Sequence, residues 1–313
     1  MLNIALVGAG WHSTSHHAPA LRRVADEQPD AVRLAAVCDQ DTGRAQDARQ
    51  RFSFELAFTD IEVMLAEAAP DAAVIVLPVP LLLPVARLFL SRGIPVLLEK
   101  PLGRNLEEAR AICEAAAGQH AMVSLNRRFD PGLRIALDWV SQQGPVRHIH
   151  GAMLRDSRTE PDFIWGTGIH LIDAACFAGG PLVICGAGGA NQWRTARLGS
   201  PDGVQVVLDL LPTCGRTEER LRIAGEGFCV DVWTGSAHPW KVDAYSAGVL
   251  ALHHEAPAHE PEFLRNGTYS ETVAFLTALS SGMPPATATL ADAMASSQLA
   301  AQLQQSSPSR TRR

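Results

Sequence analysis

Gly8-Ala9-Gly10-Trp11-His12-Ser13, Asp39 and Glu99-Lys100-Pro101 are the places where residue type and spacing first suggest chemistry. A glycine turn between a strand and a helix can bring backbone N–H groups against a phosphate. The first glycine permits the tight turn, the second lets the backbone approach a pyrophosphate, and the helix N-terminus supplies unpaired donors. Ser13 stands where a third glycine is common, and is small enough for close helix–strand packing. A bare GxGxxS also fits an ordinary turn; its place after a first strand and ahead of further strand–helix units favours the phosphate reading. Asp39 ends the second apolar stretch, where a carboxylate can accept hydrogen bonds from ribose hydroxyls and repel a 2′-phosphate. That favours NAD, although Arg44 keeps NADP open and helix capping is the plainer role for Asp39. Lys100 lies between Leu97-Leu98 and Pro101, at the carboxyl edge of an expected sheet.

The elements that must position these residues are legible in the pattern. Over residues 1–122 strands are expected at 2–7, 32–38, 56–59, 72–77, 95–99 and 122–125. Helices are expected between them at 15–25, 41–52, 61–68, 83–92 and 106–117. Continuous apolar strands separated by helices predict a doubly wound α/β sheet, parallel and covered on both faces. Beyond residue 145 the rhythm changes, with strands expected at 146–154, 183–193, 204–211, 220–224 and 228–233. Gly225-Glu226-Gly227 makes a hairpin turn between the last two, and helices are expected at 169–177, 262–279 and 290–304. Consecutive strands with few helices predict an α+β domain on a largely antiparallel open sheet. The expected domains are therefore 1–122, dinucleotide-binding, and 123–305, substrate-binding and oligomerising, with a disordered tail at 306–313.

Composition narrows the class. The 313 residues are 47% hydrophobic and 19% charged, which is globular, and a net charge of −6 argues against nucleic acid as a partner. The longest apolar run, residues 72–83, is interrupted by Pro78 and Pro80 and is too short to span a bilayer. No basic leader precedes the first strand. The six cysteines form no CxxC and sit in apolar segments, as expected for reduced thiols of a cytoplasmic protein.

The ordered set Gly8-Ala9-Gly10, His16, Asp39, Glu99-Lys100-Pro101, Asn126-Arg127-Arg128-Phe129 and Gly168-Ile169-His170-Leu171-Ile172-Asp173 resembles the glucose-fructose oxidoreductase / inositol dehydrogenase (Gfo/Idh/MocA) family over nearly the whole chain. The resemblance implies a nicotinamide cofactor and a small-molecule substrate, commonly a sugar, cyclitol or related polyhydroxy compound. It implies that Lys100 lies by the nicotinamide and the substrate hydroxyl, that His170 serves the same reaction, and that Lys100–Pro101 is cis. Removing hydride from a secondary alcohol leaves a proton for a base to take, which a lysine of depressed pKa can do. Arg127, Trp165 and Asp173 are the expected substrate contacts, Asp173 also serving to steady His170. Gly8, Gly10, Trp11, His12, Asp39, Pro78, Glu99 and Lys100 are the expected cofactor contacts.

The chain departs from the family pattern at Gly166, where relatives often carry an aspartate four residues before the histidine. Two further readings follow: a reductase of a keto-sugar or imine, or a dinucleotide-binding regulator without turnover. His12 and His16 have a chelating i, i+4 spacing, but no cysteine or carboxylate completes a set in sequence, so no metal is assigned. An open sheet face in the second domain would expose apolar side chains, which predicts a homodimer or homotetramer.

Overall fold

A computed structural model describes residues 1–235 and 238–306. Apart from Ser306, the tail expected to be disordered lies outside the described residues. The chain begins with β1 (Leu2–Val7), α1 (Ala18–Glu27), β2 (Val32–Cys38), α2 (Thr42–Phe52), β3 (Leu56–Phe58), α3 (Ile61–Ala68), β4 (Ala72–Ile75), α4 (Val79–Leu90), β5 (Val96–Leu98), α5 (Leu106–Ala115) and β6 (Ala121–Val123). These strands form one parallel sheet in the order β3-β2-β1-β4-β5-β6, the reversal beside β1 being the switch point where such folds bind ligands. The strands are apolar but for Asn3 and Arg33 near the start of β1 and β2, because helices cover both faces: Ile4 through Leu6 and Leu98 are fully buried.

The chain continues with α6 (Pro131–Val140), β7 (Val146–Leu154), α7 (Ile169–Gly179), β8 (Val183–Gly188), β9 (Arg194–Gly199), β10 (Gln205–Leu211), β11 (Glu218–Gly225), β12 (Phe228–Trp233), β13 (Lys241–Ser246) and β14 (Val249–Glu255). It ends with α8 (Glu262–Arg265), α9 (Thr268–Ser281) and α10 (Leu290–Gln305). The second sheet runs β14-β13-β12-β11-β7-β10-β9-β8 and is antiparallel except for the β10–β7 pair. Helices α6 and α7 cover one face, contacting β12, β13, β7 and β10.

By contacts the described residues divide into two units: 1–124 with 262–264 and 268–294, and 125–235 and 238–261 with 265–267 and 295–306. The sequence reading ran its second domain unbroken from 123 to 305, whereas α9 packs with the first unit. There α9 lies against α1, Thr289 forms an isolated bridge with Met122, and the Ser124 hydroxyl donates to Glu271 at 2.8 Å.

Several elements differ from expectation for local reasons. The helix after the glycine loop starts at Trp11 and includes a π turn, Ser13–His17, before Pro19 enters the first turn of α1. Helix α4 begins at Val79 and runs through Pro84, so the prolines that interrupt the apolar run do not end the helix. Residues 183–193 form no single strand: the chain turns at Gly189 and Asn191, both at positive φ, which separates β8 from β9. The β13–β14 hairpin was not anticipated; its Ala247-Gly248 turn has positive φ at both residues, the geometry that matches strand twist. The open sheet face is not simply apolar either. Cross-strand pairs His150–Asp209 and Arg222–Asp231 lie on it, each at 2.8 Å, so polar partners satisfy one another there.

Candidate active site

The glycine loop shows two different uses of glycine. Gly8 has φ +93°, and a Cβ there would lie 2.1 Å from the Val76 carbonyl oxygen, so the close approach of β1 and β4 requires glycine. Its N–H donates to Cys38 O at 2.8 Å, and its carbonyl accepts the Ser13 hydroxyl at 2.6 Å, which ties the loop to β2 and to the helix. A Cβ on Gly10, in contrast, would meet no atom within 4 Å. That open space at the start of a helix is a cradle for an anion, and the residues fit the pyrophosphate of a dinucleotide.

A cavity of about 330 Å³ extends from Gly8 and Gly10 past Asp39, Arg44, Leu77 and Pro78. Asp39 is buried in its wall. One carboxylate oxygen accepts from Ala9 N at 2.8 Å; the other accepts from Asp41 N at 2.9 Å and from Arg44 Nη2 at 3.0 Å. Capping of α2 falls to Asp41, whose carboxylate accepts from Arg44 N at 2.9 Å. Asp39 is thus fixed as an acceptor in the cavity rather than as a helix cap, with a cation on its flank.

Gly10 and Pro78 also border a second cavity of about 350 Å³, lined by Trp11, His12, Glu99 and Lys100. Lys100 is half-buried there and its bond to Pro101 is cis. Glu99 is buried: Oε1 accepts from Nε2 of His12 at 3.0 Å and of His17 at 2.9 Å, and Oε2 accepts from Lys100 N at 3.0 Å. Burial alone would push the Glu99 carboxyl up. The hydrogen bonds from His12 and His17, with the charges of His12 and Lys100, outweigh it and hold the group well below the usual carboxylate range. Trp11 is 74% exposed at the cavity mouth, edge-on to His16.

In the second unit, His170 follows a π turn, Ile164–Gly168, and is half-buried in the first turn of α7; Trp165 is buried within the π turn itself. At Gly166 a Cβ would meet only Asp162 Oδ2, at 3.9 Å, so the position has room for the side chain it lacks. Arg127 is buried and donates to both oxygens of Glu219, at 2.7 and 3.1 Å. Arg155 adds a third bond to Glu219 at 2.7 Å. Burial would raise the Glu219 carboxyl, but the charge and hydrogen bonds of Arg127, then the charges of Arg155 and His170, hold it far below its usual range. Asp173 accepts from Arg128 Nε and Nη2, both at 2.8 Å, and from the Ser296 hydroxyl at 2.7 Å. Both its oxygens are thus engaged by Arg128 and Ser296, where the sequence suggested a substrate contact or a brace for His170. These ion pairs tie the segment 126–129 to β11 through Arg127 and to α7 through Arg128.

The structure therefore gathers Gly8, Gly10, Trp11, His12, Asp39, Pro78, Glu99 and Lys100 around adjoining cavities of the first unit, and places Arg127, Trp165, His170 and Asp173 in the second. His17, Arg155 and Glu219 were missed. His17 is five residues from His12, a spacing that α-helical geometry rejects. Glu219 was readable in principle, because it shares the parity of the core-facing Leu221 and Ile223.

Residues 2–127 match the oxidoreductase family with an NAD-binding Rossmann fold, Gfo/Idh/MocA. An inositol 2-dehydrogenase of Corynebacterium glutamicum is 32% identical over 133 residues, which are 42% of this chain and only 38% of that protein's length. Whole-chain likeness comes from solved structures. A dehydrogenase (MviM) of Clostridium difficile superposes with a TM-score of 0.84 at 15% identity, covering 96% of this chain and 98% of that one. Levoglucosan dehydrogenase in complex with NADH superposes with a TM-score of 0.78 at 17% identity, covering 96% and 95%. At these identities the likeness is one of fold. No helix among the described residues is long and apolar enough to cross a membrane.

Proposed function

We propose that this protein is an NAD(H)-dependent oxidoreductase acting between a secondary alcohol and its ketone, on a sugar, cyclitol or related small molecule. The observation that carries the reading is the adjoining pair of cavities with a glycine cradle between them, Asp39 at one end and Lys100 at the other. The dinucleotide, when bound, accepts or donates the hydride. Asp39 receives the adenosine ribose hydroxyls, and Gly10 with the following helix N-terminus receives the pyrophosphate. The Lys100 amine takes the hydroxyl proton during oxidation and returns it during reduction. His170 and Trp165 orient the substrate, while Arg127 and Asp173 support that side of the reaction through their ion pairs. Asp39 makes NAD the preferred dinucleotide, and Arg44 is the group that would meet a 2′-phosphate. The open face of the second sheet joins copies into a dimer or tetramer.

A second reading keeps the dinucleotide but removes turnover, or narrows it to reduction of a carbonyl; the vacancy at Gly166 favours it. Titration with NADH and NADPH by fluorescence, followed by a 340 nm screen of sugars, cyclitols and keto-sugars, separates these readings. We expect tighter NADH than NADPH binding and turnover on at least one polyol. Binding without turnover would leave the regulator, and no binding would overturn the proposal. Light scattering that finds a monomer at micromolar concentration would overturn the assembly.

A further inference from the structure

The sequence offered histidines without a carboxylate to complete a metal set; the fold supplies one. A ring nitrogen of His12, a ring nitrogen of His17 and a carboxylate oxygen of Glu99 all lie within 4.8 Å of one another. Their convergence depends on the π turn. Five residues of an α-helix turn through about 500°, leaving side chains at i and i+5 roughly 140° apart. The i→i+5 bonding of Ser13–His17 brings them back toward one side, and both imidazoles then reach Glu99 Oε1, at 3.0 and 2.9 Å.

We propose that His12, His17 and Glu99 form a binding site for a divalent transition ion of the zinc class, with one coordination position open to the Lys100 cavity. Two imidazoles and one carboxylate suit zinc and its neighbours, whereas calcium and magnesium favour oxygen-only sets. Bonds of about 2.0–2.2 Å place tetrahedral ligand atoms roughly 3.3 Å apart, so the Nε2–Oε1 distances have to open by only a few tenths of an ångström, while the His12 ring turns to bring its ligating nitrogen to that distance from the one on His17. His12, whose side chain is 48% exposed, has the freedom to do so, and His17 and Glu99 are packed in place. Lys100 N holds Oε2 and leaves Oε1 as the single ligating oxygen. Three protein ligands with an open position are the arrangement of a catalytic rather than a structural zinc, and the fourth ligand is water or an oxygen of a small molecule in the cavity. Nδ1 of His17 is buried without a hydrogen-bond partner among the described residues. Lacking that orienting partner, the site binds about 10- to 100-fold more weakly than a fully braced one. The site lies in the cavity assigned to the proposed reaction but does not depend on that reaction.

Chelator-treated protein titrated with Co²⁺, and then with Zn²⁺ as competitor, tests the proposal. One equivalent of Co²⁺ should bind with a visible d–d band and be displaced by Zn²⁺. His12→Ala, His12→Gln and Glu99→Gln should each weaken binding at least tenfold, while His254→Ala leaves it unchanged. His12→Gln retains a hydrogen-bond donor for Glu99, so a loss there reports the ligand and not the fold. Absence of a stoichiometric site, or one equivalent that survives His12→Ala and His12→Gln, would overturn it. NADH fluorescence on the same samples reports dinucleotide binding separately, so the two proposals fail independently.

Discussion

Glu99 and Glu219 are both buried carboxylates held well below their ordinary range, yet the two units hold them by opposite means. Glu219 is clamped by two guanidiniums, which stay charged and match a carboxylate in a planar fork. Glu99 is held by two imidazoles and a backbone N–H, and one of those imidazoles reaches solvent at the mouth of a cavity. Guanidinium clamps fix a structure. Imidazole partners can change protonation or ligation without unfolding it. The difference separates a carboxylate locked by fixed charges from one whose partners can exchange, although both look alike as acids in sequence.

The largest effect expected from this contrast is on activity alone. Lys100→Met, beside Glu99, should lower turnover by about 10²- to 10⁴-fold, far more than it weakens NADH binding, while the thermal midpoint stays near wild type. Turnover within a few-fold of wild type in steady-state assays would remove Lys100 from the chemistry. The converse test is Glu219→Gln, which leaves Arg127 and Arg155 buried and incompletely paired. It should cost about 3–5 kcal/mol in denaturant unfolding. A loss below about 1 kcal/mol would mean that the clamp does not hold the second unit.

A finer separation comes from pH. The folded-state pKa values of Glu99 and Glu219 are depressed, so their stabilisation is present above about pH 4.3 and is lost as pH falls below it. Asp130 behaves oppositely. It is fully buried, caps α6 through Leu133 N, and also accepts from Gly235 N at 2.7 Å. Burial pushes its carboxyl up to about 6 despite those bonds. Stability from the protonated form is complete below the unfolded value and is lost as pH rises through about 6. Relative to Asp130→Asn, the wild type should therefore lose on the order of 2 kcal/mol between pH 4 and 6.5. A flat difference across that range in parallel unfolding titrations would contradict the assignment.

Much of the first unit was legible because its signals are local. Apolar strands, a glycine turn and a carboxylate at the end of β2 occur in the order the fold uses them. Glu99-Lys100-Pro101 carried the family resemblance for the same reason. The parts that escaped are tertiary. The π turn that brings His17 to Glu99 adds one residue to a helical repeat and leaves no mark in apolar periodicity. Arg127 and Asp173 stand out in sequence as charges at a motif, but their partners Glu219, 92 residues away, and Ser296, 123 away, could not be paired from one sequence. The β13–β14 hairpin was missed because its turn, Ala247-Gly248, lacks the Asn-Gly or Asp-Gly signature.

The central claim is that the Gly10 cradle receives a dinucleotide, and Gly10→Ala tests it most directly. A Cβ there touches no protein atom within 4 Å, so folding should be unaffected, while the methyl group enters the space assigned to pyrophosphate. The account predicts an unchanged thermal midpoint and NADH affinity at least about tenfold weaker, equivalent to roughly 1.4 kcal/mol or more. NADH binding of equal strength in wild type and Gly10→Ala, measured by fluorescence titration, would contradict it.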